Sequence, residues 1–74
     1  MKYITIEKQE NLERARIRIK SNLGPLSFFY ALEPPQSLLG SSKILVLRNR
    51  NNGSISAKID GPGFIIEELY KEFL

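Results

Sequence analysis

The sequence predicts an α+β domain, an antiparallel sheet of three or four strands with two helices packed on one face, in the order (β)βαββα. Three observations carry the prediction. Several segments alternate apolar and polar residues at a period of two, the mark of a half-buried strand. An Asn-Asn-Gly step at 51–53 joins two such segments as a hairpin, because Asn and Gly tolerate positive φ. The closing residues 64–74 instead repeat apolar side chains at helical spacing.

Residues 2–8 alternate loosely around Ile4 and Ile6, so residues 1–11 form either an extra N-terminal strand or an arm; Gln9-Glu10-Asn11 reads as a turn. From Glu13 onward Arg14, Arg16, Arg18 and Lys20 alternate with Ala15, Ile17 and Ile19, which predicts a half-buried strand with a cationic outer face. Ser21 to Pro25 ends it. Pro25 suits the first position of a helix over Leu26 to Glu33, which Pro34-Pro35 stops. Residues 36–42 (QSLLGSS) are a polar, glycine-containing connection. Lys43 to Arg50 is a strand around the apolar run Ile44-Leu45-Val46-Leu47. The return strand, Ser54 to Asp60, sets Ile55, Ala57 and Ile59 against Ser54, Ser56 and Lys58. Gly61-Pro62-Gly63 breaks the strand before the terminal helix. There is no repeat, low-complexity tract or linker, so residues 1–74 read as one domain.

A chain of 74 residues buries a modest share of its unfolded surface. Small domains compensate with disulfides, a structural metal or a partner. With no Cys and no His, disulfides and the usual zinc ligands are excluded, which leaves tight packing or association. The lack of Cys fits a reducing compartment. The N-terminal MKYITIEKQE is too acidic and too alternating for a signal peptide, and no run approaches the roughly 18 apolar residues of a membrane helix. A soluble, cytoplasmic protein is expected.

The same two absences remove the commonest bases and nucleophiles. Glu67, Glu68 and Glu72 lie on the polar side of the last helix and Asp60 ends a strand, so nothing pairs as general acid and base. Gly61-Pro62-Gly63 precedes a helix as an anion nest would, but lacks the lysine and hydroxyl of a phosphate-binding loop. No catalytic residue, cofactor, metal or small-molecule substrate is expected, and the chain reads as a binding protein.

Two binding surfaces follow. The last helix places Ile65, Ile66, Leu69, Tyr70, Phe73 and Leu74 on an arc roughly 180° wide, where one sheet needs about 100°. Apolar residues surround the predicted first helix, leaving only Ser27 and Glu33 as polar breaks. A two-layer domain cannot cover both, which predicts a protein-partner groove lined by Phe28, Phe29, Ile66, Leu69, Tyr70 and Phe73. The competing reading folds both helices inward under the 36–42 loop. The second surface is cationic. Net charge is +3, and Arg14, Arg16, Arg18, Lys20, Arg48, Arg50 and Lys58 would share the outer sheet face. Such a face could track a phosphate backbone, with tRNA as a candidate ligand. No aromatic pair is there to stack bases, so RNA contact would be sequence-independent and salt-sensitive. The competing reading is a solvated face whose charges discourage aggregation. A KH-type RNA module is excluded by the lack of a GXXG loop, and a DNA regulator by the lack of a basic recognition helix.

The stretches ARIRIKSNLGPLSFFYALEPP and KILVLRNRNNGSISAKIDGPGF resemble the small Pcc-type subunit of the KEOPS complex, the family that includes the cancer-testis antigen group. The shared pattern is an amphipathic strand, a helix ending in Ala31-Leu32-Glu33-Pro34, a hairpin, and the strand Ile55-Ser56-Ala57-Lys58-Ile59-Asp60 leading into a closing helix. It spans about residues 15–70. The resemblance implies a non-catalytic subunit of an assembly that installs threonylcarbamoyl on tRNA adenosine. It also implies pairing of sheets in a dimer and docking of the catalytic, ATP-binding subunit through Ile66, Leu69, Tyr70 and Phe73. Family members close on a longer helix with a Leu-Arg step and an Asn-Ser pair, whereas this chain ends in the shorter, acidic GFIIEELYKEFL. That difference implies a divergent paralogue, paired either with a more typical Pcc-type subunit as a heterodimer or with itself as a homodimer.

Overall fold

A hairpin organises the chain, and the computed structural model describes all residues from Met1 to Leu74. Strands β4 (Ser42–Asn49) and β5 (Ile55–Pro62) pair antiparallel, with Leu45 opposite Ile59 and Leu47 opposite Ala57. All four are fully buried. The turn between them is the one the Asn-Asn-Gly step predicts: Gly53 has φ +73° and its N–H donates to the Asn49 carbonyl at 2.8 Å. The ladder shifts between Leu47 and Arg48, which pairs Arg48 with Ile55.

Strand β1 (Lys2–Thr5) settles the state of the N-terminal residues. It pairs in parallel with β5, placing Ile4 beside Ile59. The sheet is therefore mixed, where a purely antiparallel one was expected. On the far side of β4 lie two short strands, β2 (Phe29–Tyr30) and β3 (Gln36–Ser37), giving five strands in the order β1-β5-β4-β2 with β3 also on β4.

Helix α1 (Leu12–Leu23) occupies the segment whose alternation predicts a strand. Ala15 and Ile19 are buried, Leu12 and Leu23 pack partly against the core, and Ile17 points away from it. The buried stripe thus runs 12, 15, 19, 23, the spacing of one helix face. Asn11 caps the helix by accepting from the Arg14 N–H at 2.9 Å. Arg and Lys are good helix formers, so local propensity and capping both favoured the observed state. At the other end Gly24, with φ +85°, donates its N–H to the Lys20 carbonyl at 2.8 Å. Lys2 Nζ donates to the Asn22 carbonyl at 2.8 Å.

The predicted helix over Leu26 to Glu33 is absent. A single 3₁₀ turn, Leu26–Phe28, leads directly into β2. Pro25 is extended and precedes this turn without a side-chain cap, and Phe29 is better satisfied opposite Asn49 than in a helix too short to be stable. Helix α2 (Gly63–Phe73) matches the predicted terminal helix. Gly61-Pro62-Gly63 does not interrupt the chain between them: β5 runs through Pro62 and α2 begins at once. The observed order is βαββββα rather than (β)βαββα, within the α+β class that was expected.

The core is one cluster of fourteen buried residues between the inner sheet face and the two helices. Leu45, Ile59, Ile65, Ile66 and Leu69 are fully buried at its centre. Gly61 admits Ile6 to this layer, since a Cβ there would lie 2.7 Å from Ile6 Cβ. Ile6 donates its N–H to the Asp60 carbonyl at 2.7 Å, extending the ladder beyond β1. Glu10 is also largely buried; it accepts from the Glu7 N–H at 3.1 Å and pairs with Arg18 at 2.6 Å, pinning the 7–10 turn to α1.

Candidate functional site

Alternation along β4 and β5 sends every second side chain away from the helices. The outer face therefore carries Ile44, Val46 and Arg48 from β4 and Lys58 and Asp60 from β5, and the register shift beyond Leu47 brings Ile55 onto it opposite Arg48. The registers align them into rows across the sheet. Tyr3, Lys58 and Val46 form one row; Thr5, Asp60 and Ile44 form the next.

No helix covers this face. Pro34-Pro35 interrupts the segment between β2 and β3, because proline has no N–H to give to a ladder. Leu32, Glu33 and Leu38 border the face there. Two shallow depressions result. One, of about 250 Å³, is lined by Leu38, Ile44, Val46, Glu33 and Lys58 among others. The other, of about 170 Å³, is lined by Leu32, Val46, Ile55, Glu33, Arg48 and Lys58. Glu33, Val46 and Lys58 belong to both. Tyr3, Leu32 and Leu38 are each more than half exposed around them.

Charge on the face is uncommitted. The four ion pairs of the chain, Arg16–Glu72, Arg18–Glu10, Lys43–Glu67 and Lys71–Glu68, all involve the helices. Lys58, Asp60 and Glu33 take part in none of these ion pairs, and Arg48 donates only to the Gly53 carbonyl at 3.0 Å. Basic side chains gather at the hairpin end of the face, while Asp60 stands toward the end where β5 meets α2.

The predicted partner groove does not form. Phe29, Ile66, Leu69 and Phe73 are core residues, leaving Phe28 exposed and Tyr70 half-buried. The physical reason is α1. Read as a strand, residues 12–23 could not cover the wide apolar arc of α2; as a helix they pack beside it and complete the core.

The predicted cationic sheet face is likewise dispersed. Arg14, Arg16, Arg18 and Lys20 lie on α1, in the layer opposite Lys58. Arg16 and Arg18 are held by Glu72 and Glu10. The hydrogen bond to Glu72 raises the Arg16 pKa above its ordinary value, so that cation stays charged and paired. Arg50, at the end of the hairpin, shares a concavity with Arg16, Glu72 and Phe73 and reaches the Phe29 carbonyl at 3.4 Å. Only Arg48 and Lys58 of the seven share the open face.

The apolar residues of that face escaped the sequence reading, although a signal was present. A strand with Ile44 and Val46 on one side and Leu45 and Leu47 on the other is apolar on both faces, the pattern of a strand covered twice. No group of three or more acidic side chains converges as a metal site would require. No helix is long and apolar enough to cross a membrane. No protein-family model, curated protein or solved structure matches the chain.

Proposed function

We propose that this protein is a non-catalytic docking module that binds another protein through the open face of its sheet. One observation carries the reading: β4 is apolar on both sides, and while its inner Leu45 and Leu47 are fully buried its outer Ile44 and Val46 are only half-buried. Burying apolar area is the main driving force of association, and a patch rimmed by uncommitted charges is what an interface offers before its partner arrives. RNA binding is not favoured, because the cations that would track phosphates are split between two layers and two of them are already paired.

The narrower form of this proposal is an accessory or dimerisation subunit of a KEOPS-like assembly acting on tRNA. Its support is the resemblance of the hairpin and closing helix. The segment taken as the family's leading strand is α1 here, and three of the four residues for docking the catalytic subunit, Ile66, Leu69 and Phe73, are buried. Reconstitution with a catalytic KEOPS subunit and a typical Pcc-type subunit tests it. Co-elution with either supports the narrower form, and elution apart from both removes it.

The broader reading is tested by placing a photo-crosslinking residue at position 46 and, separately, at position 14 on α1. Protein adducts in cells that arise from position 46 and not from position 14 are expected. RNA adducts at position 46, or equal protein adducts at both positions, would overturn it.

A further inference from the structure

We infer that the open face receives a single amphipathic helix of another protein, laid along β4. This occupant rests on the docking reading above and makes it specific.

The face is too small for a globular partner. Strands of eight, eight, four, two and two residues, at about 3.3 × 4.8 Å per residue, project only about 380 Å². A standard interface buries roughly 800 Å² on each partner. The shape is that of a furrow. Ile44 and Val46 form its floor. Lys58 stands on one side, on β5, and Glu33 and Pro34 stand on the other, in the segment that joins β2 to β3. Neighbouring strands lie about 4.8 Å apart, so the walls are about 10 Å apart, the diameter of a helix. The eight residues of β4 run for about 26 Å, enough for about four helical turns.

The two depressions along the furrow set the spacing of what enters. One is floored by Ile44 and Val46 with Leu38 at its rim, the other by Val46 and Arg48 with Leu32 at its rim. Their centres are thus two strand residues apart, about 6.6 Å. Side chains four apart on one helix face are separated by about 6.0 Å along the axis. An extended segment repeats at nearly the same distance, but it would lie over a sheet whose N–H and C=O groups point sideways into the ladders. Its own backbone groups would lose water and gain no partner, a cost that a helix avoids by bonding within itself.

Charge orients the helix. Lys58 and Glu33 take part in no ion pair within the chain and stand on opposite sides of Val46. The incoming helix therefore carries an acidic side chain on the flank toward β5 and a basic one on the flank toward Glu33. Charged flanks beside an apolar seam select partner and direction in this way. Reversing the helix would exchange its flanks and set like charges together.

Phage selection of random 16-residue peptides on the immobilised full chain, with Val46→Glu as the counter-selection target, tests the inference. Circular dichroism confirms that every variant stays folded. Enriched peptides are expected to carry apolar residues four apart with acid and base on opposite flanks, and to turn helical on binding, read from Cα chemical shifts. Measured by fluorescence anisotropy, their affinity should fall at least about tenfold on Lys58→Glu and on Glu33→Lys. Replacing the peptide's acid by Lys should restore binding to Lys58→Glu to within about threefold. Peptides that bind extended, or whose affinity both flank substitutions leave unchanged, overturn the helix. So does a failure to enrich any peptide, and so does self-association of the chain through Val46 that no peptide displaces. In each of those cases protein adducts from position 46 still uphold the docking reading, and their absence removes it as well.

Discussion

The most discriminating test of the fold compares Ile17→Ala with Ile19→Ala. In a strand, both side chains would face inward and both truncations would be costly. In α1, Ile19 is fully buried while Ile17 is 62% exposed. Removing three carbons from Ile19 forfeits roughly 2.4 kcal/mol at about 0.8 kcal/mol per buried methylene. A residual cavity of some 50 Å³ adds on the order of 1 kcal/mol at about 24 cal/mol per Å³. The expected loss is about 3.5 kcal/mol. A domain of 74 residues holds only about 4–11 kcal/mol in total, so this variant should unfold near ambient temperature or at very low urea. Ile17→Ala loses little burial and gains a few tenths of a kcal/mol in helix propensity, so its stability should stay within about 0.5 kcal/mol of wild type. Urea melts followed by circular dichroism read both values directly. Comparable losses of 2 kcal/mol or more at the two positions would refute the helix and restore the strand.

Three further outcomes follow from single contacts. Asn11→Ala should cost about 1 kcal/mol in a urea melt through loss of the cap on α1, whereas Asn11→Gly should cost only a few tenths. Gly61→Ala should destabilise by about 1–3 kcal/mol in thermal melting, because the new Cβ would meet Ile6 Cβ at 2.7 Å and the Ile6 carbonyl at 3.2 Å, atoms that the side chain cannot swing away. Glu10→Ala should cost about 1–3 kcal/mol, since it removes both the acceptor for the Glu7 N–H and the partner of Arg18; amide exchange at Glu7 should accelerate with it.

The elements legible in the sequence were those where local chemistry and tertiary packing agree. The β4–β5 hairpin combines a positive-φ glycine turn with alternating strands, and α2 has an apolar stripe too regular for anything else. The α1 segment was misread because seven residues of strict alternation fit a strand, while the helical stripe needs Leu12 and Leu23 from outside that window. Its Asn11 cap lies in Gln9-Glu10-Asn11, a triplet whose composition suits a turn equally well. The 3₁₀ turn and the two-residue strands could not be read from propensity, because they exist only where β4 offers a free edge. The parallel pairing of β1 with β5 joins residues more than fifty positions apart, beyond the reach of any local pattern.

The misreading of α1 also displaced the expected site, and the two errors have one cause. Apolar surface in a small α+β domain must be matched layer against layer. With residues 12–23 counted as sheet, the two helices carry the excess and the sheet face is basic and solvated. Counting them as helix moves a cover onto α2 and removes four cations from the sheet. What is left uncovered is then the outer side of β4 and β5, where Ile44, Val46 and Ile55 lie among charges that have no ion-pair partner in the chain. A chain with no disulfide and no metal ligand of the usual kind gains most by burying that face. The same uncovered layer is what supports the docking proposal, and it is the face on which the proposed partner would sit.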